Sequence, residues 1–165
     1  MGDEKQKEGL KKKVMVAIDE SEESYHALMW VLNNLNESLK SLQLVIFAAQ
    51  ASPKCNSICG SQLGFARIYC PFSATCNSVI EQNKKVSLGL LEKAKGICAS
   101  KGVYVETVTE TGDPKETICN AVQRHKINLL VIGDNDNGIL RRVFQGSLGD
   151  YCLDHAKCPV LVVKN

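Results

Sequence analysis

The residues best suited to chemistry lie in one stretch, GDNDNGILRRVFQGSLGD, from Gly133 to Asp150, between the apolar run Leu129–Ile132 and a segment of helical character starting near Ser147. Glycines let backbone amides approach an anion with no Cβ in the way. A helix beginning at Ser147 adds unpaired N–H groups and the positive end of its dipole. Such a stretch suits phosphate. Asp134 and Asp136 oppose that use, since a carboxylate about 4 Å from a phosphate costs about 1 to 4 kcal/mol, depending on the local dielectric. A divalent cation such as magnesium, or Arg141 and Arg142, would have to offset the charge.

Other reactive side chains form weaker sets. Of eight cysteines, Cys55, Cys59, Cys70 and Cys76 share one irregular stretch. Only the first two are closely spaced and no histidine lies near, which argues against the paired ligands of structural zinc. A thiol sensor there would need exposure and a lowered pKa, which sequence does not show. Cys98, Cys119, Cys152 and Cys158 fall in periodic apolar segments and read as small buried hydrophobes. His26, His125 and His155 lie on helices with no evident nucleophile partner, so no acid, base and nucleophile set demands catalysis.

The elements that must position these residues alternate. Val14–Ile18 is a run of β-formers closed by Asp19, and a helix follows from Ser21 with Tyr25, Leu28, Met29, Leu32 and Leu35 on one stripe. Leu42–Ala49 is continuously apolar, as in a strand covered on both faces. Ala51–Ser78, with Pro53, Gly60, Gly64 and Pro71, reads as a long loop or partial helix. Helical periodicity resumes over Val79–Ser100 and stops at Gly102. A third strand spans Val103–Val108. Thr111–Pro114 makes a turn, with Asp113 as N-cap and Pro114 at the first position of a helix reaching about His125. Leu129–Ile132 and Pro159–Val163 are strands four and five, with a helix from about Ser147 to His155 between them.

This order predicts an α/β fold, a five-stranded parallel sheet with helices on both faces and right-handed crossovers. Ligands bind such sheets beyond the carboxyl ends of the strands, at the switch in strand order. Asp19, Ala49, Gly112 and Gly133 all stand at or just past such ends. The segment after strand one, AIDES, has no dinucleotide fingerprint, and no Walker loop is present. A phosphoacceptor receiver would need a second acid beside Asp19 and an aspartate at the next central strand, and neither is evident.

From Val14 to Lys164 the chain resembles the universal stress protein family. The resemblance rests on VMVAIDES, on TGDPKETI at 111–118, on LLVIG entering the Gly133 loop, and on the ending QGSLGDYCLDHAKCPVLVVK. The family's nucleotide-binding pattern is a glycine, two residues, a second glycine, nine residues, then glycine followed by serine or threonine. Gly133, Gly146 and Ser147 fall in that register; Asp136 replaces the second glycine, and Gly138 lies close by. Aspartate adopts left-handed backbone angles better than most residues, so the loop's shape can survive the replacement. The resemblance implies a Rossmann-like, adenine nucleotide alpha hydrolase-like fold, and ATP or AMP as ligand. In that reading Asp19 and the backbone around Ala49 flank the adenosine, while Gly133, Gly146 and Ser147, with Asp136 and Gly138 in the loop, lie along the phosphates. Asp19 reads equally as a helix N-terminal acid or turn residue. The resemblance also implies a homodimer through Pro159–Val163, whose apolar sequence would leave an open sheet edge.

Lys and Arg (20) and Asp and Glu (18) nearly balance, so no nucleic-acid partner is expected. Residues 1–12 read as a solvated polar tail and 13–165 as one domain carrying the Cys-rich insertion at about 51–78. Gln6 stands where a myristoylation start wants serine or threonine. No segment has the apolar length of a membrane span, and the start lacks a secretion signal's apolar core, so a cytoplasmic protein is expected. The expected function is an adenine-nucleotide-binding stress-response regulator or adaptor. The alternatives are a dimeric scaffold that no longer binds nucleotide, and a slow metal-dependent ATPase.

Overall fold

The computed structural model describes residues 11–51, 72–134 and 148–164. β1 (Lys13–Ile18) leads into α1 (Glu22–Asn34) and the short α2 (Asn36–Leu39), then β2 (Gln43–Ala51). α3 (Phe72–Ser100), β3 (Val105–Gly112), α4 (Pro114–Arg124), β4 (Leu129–Gly133), α5 (Leu148–His155) and β5 (Val160–Val163) follow. The strands form one sheet in the order β3-β2-β1-β4-β5, and every pairing is parallel. β1 is central, with Val16 opposite Ile46 of β2 and Val131 of β4. The expected α/β architecture is therefore present.

Alternation along the strands divides the core in two. Val14, Val16, Ile18, Leu44 and Ile46 point to the face covered by α1 and α3, where they meet Ala27, Leu28, Val31, Leu91, Ala94 and Cys98. Met15, Ala17, Val45, Phe47, Leu130 and Ile132 point to the opposite face, against Ile118, Cys119 and Val122 of α4 and Cys152 of α5. Burial on both faces is why these strands read as unbroken apolar runs. Cys98, Cys119 and Cys152 are buried and Cys158 is half-buried, in keeping with their packing role.

Helix ends follow local chemistry. Ser21 caps α1, its hydroxyl accepting from Ser24 N–H. Asp113 caps α4, accepting from Lys115 N–H, with Pro114 in the first turn. α3 and α4 both end with two interlocked bonds. In α3, Val103 N–H reaches Cys98 C=O and Gly102 N–H reaches Ala99 C=O. In α4, Ile127 N–H reaches Val122 C=O and Lys126 N–H reaches Gln123 C=O. Each closure puts one residue at positive φ, Gly102 at 71° and Lys126 at 54°.

Three boundaries differ from expectation. α3 begins at Phe72, so residues 72–78, expected within the irregular insertion, are helical; residues 52–71 lie outside the described residues. β3 starts at Val105 and runs to Gly112, so Thr111 and Gly112 belong to a strand and not a turn. Its sequence VETVTETG is largely polar because β3 is an edge strand, and that hides it from a search for apolar runs. β2 likewise continues to Ala51.

Candidate functional site

The strand order reverses at β1: its chain neighbour β2 lies on one side and β4 on the other. Connections leaving in opposite directions open a crevice above the carboxyl ends. There the structure has a cleft. Its lining includes Ala17, Ile18 and Asp19 from the end of β1, Phe47 and Ala49 from β2, and Ile132, Gly133 and Asp134 from β4. Pro114 and Ile118 of α4 and Leu148 and Gly149 of α5 complete the walls, with Ser21 and Ser24 at the entry to α1.

Asp19 is held by its own turn. Its Oδ1 accepts from Ser21 N–H at 2.8 Å and from the Ser21 hydroxyl. Ser24 Oγ accepts from Asp19 N–H at 3.1 Å and lies 3.0 Å from the carbonyls of both Asp19 and Ser21, to either of which it can donate. Among the described residues Oδ2 takes part in no hydrogen bond. One oxygen of Asp19 therefore shapes the turn, as expected of a turn residue, and the residue also lines the cleft.

Gly133 has a structural reason of its own. A Cβ there would lie 2.3 Å from Glu23 O, 2.5 Å from Glu23 C and 2.9 Å from Ser24 N. The first turn of α1 thus rests directly on the backbone at the end of β4, an approach only glycine permits. The next amide, Asp134 N–H, is bonded to Val163 C=O at 2.8 Å and is already occupied. The Asp134 carboxylate is 3.9 Å from Lys164 Nζ, a partial offset of its charge. Lys164 is well exposed, so the offset is modest.

Of the expected site residues, the fold brings Asp19, Ala49 and Gly133 together. Asp136, Gly138, Gly146 and Ser147, with Arg141 and Arg142, lie outside the described residues, as do Cys55, Cys59 and Cys70. Among the described residues no three His, Cys, Asp or Glu side chains converge to hold a metal ion. Sequence reasoning missed Ser24, Phe47, Ile118 and Ile132, which line the cleft while being almost fully buried. Phe47 and Ile132 look like ordinary strand core and are marked only by lying toward the carboxyl ends of β2 and β4, while Ser24 and Ile118 are marked only by lying near the starts of the helices that follow β1 and β3. Pro114, expected as a helix start, is both helix start and cleft wall.

The cleft combines an apolar lining of Phe47, Ile118 and Ile132 with the Asp19 carboxylate and the hydroxyls of Ser21 and Ser24. Asp19 Oδ2 can accept from a hydroxyl or amino group. Among the described lining residues the ionisable side chains are Asp19 and Asp134.

A family model described as "Universal stress protein family" matches residues 60–164. Universal stress protein A-like protein of Arabidopsis thaliana is 39% identical over 84 residues, 51% of this chain and 48% of that protein, so the match spans about half of that relative's length. Universal stress protein YxiE of Bacillus subtilis is 29% identical over 152 residues, 92% of this chain and 98% of the relative. Among solved structures, a universal stress protein family protein from Arabidopsis thaliana with AMP bound has a TM-score of 0.66 and 26% identity, covering 93% of this chain and 92% of that one.

Proposed function

This chain belongs to the universal stress protein family, and we propose that it binds an adenine nucleotide in the switch-point cleft and acts as a stress-linked regulator or adaptor. The observation that carries the reading is the cleft itself, at the switch in strand order, lined by apolar Phe47, Ile118 and Ile132 together with Asp19, Ala49 and Gly133; in this reading Asp19 and Ala49 flank the nucleoside and Gly133 lies toward the phosphates. An Arabidopsis relative with AMP bound supports the same ligand class. The described residues fit the nucleoside better than the phosphates, because Asp134 carries negative charge into the cleft and its N–H is already bonded. AMP is therefore the favoured ligand over ATP. Asp134 is also what favours the second reading, a scaffold that binds no nucleotide. Magnesium would act here by neutralising Asp134 and a phosphate together, and a slow ATPase would require that ion.

Thermal melting with AMP, ATP or neither, with and without magnesium, separates these readings. A ligand at one hundred times its Kd stabilises by about 2.7 kcal/mol, which for a domain of this size raises Tm by roughly 5 to 11 °C. A rise with AMP that exceeds the rise with ATP is expected. No rise with either at millimolar concentration would leave the scaffold reading standing. A rise with ATP only when magnesium is present would favour the metal-dependent one.

The assembly we propose is a homodimer paired along β5, with a cytoplasmic location. β5 ends the sheet. Leu130 N–H bonds to Pro159 C=O and Asp134 N–H to Val163 C=O, so in a parallel ladder the alternate residues Val160 and Val162 direct their main-chain groups away from β4. Those outward groups suit pairing with a second copy.

A further inference from the structure

We propose that Cys119 and Cys152 form a redox-responsive pair that, on oxidation by a peroxide, joins α4 to α5 and fixes the two helices that wall the cleft. Both side chains are nearly inaccessible, at 6% and 0% exposure, and belong to one apolar cluster. α4 packs on α5 at this cluster, and each thiol is among the groups that perturb the other. Cys119 directly follows Ile118, and Cys152 lies three residues after Gly149; Ile118 and Gly149 both line the cleft.

Cys152 is the one fully buried side chain of the eight residues of α5. Leu148 and Tyr151 pack partly buried beside it, and the other half of the helix is exposed; a short helix of this kind opens at lower cost than the strands beneath it, and its opening uncovers both sulfurs together. Burial pushes both thiols up, so neither is a ready thiolate while α5 is docked. Oxidation then proceeds from the opened state. Cys119 remains on α4, docked on the sheet when α5 lifts, and in the proposed order it reacts first. Its sulfur attacks a peroxide oxygen, the O–O bond breaks, and sulfenic acid and water form. The Cys152 sulfur then attacks the sulfenic sulfur, releasing a second water and closing the S–S bond. Two electrons leave the sulfurs and reduce one hydrogen peroxide to two waters. A dithiol reverses the change.

The test treats the full chain with hydrogen peroxide, blocks remaining thiols with N-ethylmaleimide in denaturant, and maps peptides by mass. The expected product is a Cys119–Cys152 cross-link lacking two hydrogens, cleaved by dithiothreitol, retained in Cys158→Ser and absent in Cys152→Ser. Amide exchange over residues 148–155 should slow by about tenfold or more in the oxidised protein, because a tether removes the opening. Recovery of both cysteines as alkylated thiols, a cross-link to Cys158 instead, or unchanged exchange in cross-linked protein would overturn the proposal. Its consequence for ligand rests on the nucleotide reading above: the Kd for AMP should differ at least threefold between reduced and oxidised protein, and equal values would overturn that consequence. If the reduced protein binds no AMP, the nucleotide reading fails, while the thiol map and exchange still decide the cross-link.

Discussion

Replacing Gly133 with alanine tests whether this glycine serves the fold before it serves any ligand. The new Cβ would sit 2.3 Å from the Glu23 carbonyl oxygen, roughly 1 Å inside ordinary van der Waals contact. The obstructing atoms are backbone, so no side-chain rotation relieves the clash. The first turn of α1 must move, and it is tied down by the Ser21 cap and the Asp19–Ser24 bonds. Overpacking of this kind costs about 1 to 3 kcal/mol, which corresponds to a Tm lowered by roughly 2 to 12 °C for a domain of this length. Circular-dichroism melts and urea titrations without nucleotide measure it directly. Gly89→Ala is the matched control: its Cβ meets nothing within 4 Å, it lies inside α3, and it should stabilise by about 0.5 to 1 kcal/mol. A Gly133→Ala protein that melts within ~1 °C of the parent without ligand would refute the close-approach argument and leave a ligand as the reason for this glycine.

Lys126→Gly should stabilise by about 0.5 to 1 kcal/mol, because Lys126 holds the left-handed position that Gly102 fills in the matching cap of α3; Gly102→Ala should cost a similar amount, and urea midpoints check both. Burial raises the Cys98 thiol from 9.0 to about 11, so the folded state holds the proton more tightly than the unfolded chain. Its contribution is complete below pH 9 and is lost as pH rises from 9 through 11, by roughly 2 to 3 kcal/mol in all. Urea unfolding between pH 8 and 10.5 should be less steep in pH for Cys98→Ala, and an unchanged slope would contradict this. Val162→Pro removes an outward N–H of β5 while sparing its bonds to β4; light scattering should then report monomer, and a surviving dimer would place the contact elsewhere.

Much of the scaffold was legible because it is written locally. Strands covered on both faces announce themselves as apolar runs such as Val14–Ile18 and Leu129–Ile132, and Asp113, Pro114 and Gly102 mark helix ends through chemistry confined to a few neighbours. β3 was drawn short because an edge strand need not be apolar. The start of α3 at Phe72 was missed because Ser, Thr, Cys and Asn follow a proline there and give little helical signal.

The amino-acid sequence on its own determined the alternating order of strands and helices, the family register of Gly133, Gly146 and Ser147, and the candidacy of Asp19 and Ala49. Tertiary structure alone decided that Phe47, Ile118 and Ile132 line one cleft, that Asp134 N–H is already spent on Val163, and that Gly133 is pressed against Glu23. The physical reason is the range of the interactions. Periodicity and capping act between residues a few positions apart. The cleft and the Gly133 contact exist because β4 pairs with β1, which sets the end of one strand beneath a helix encoded far upstream.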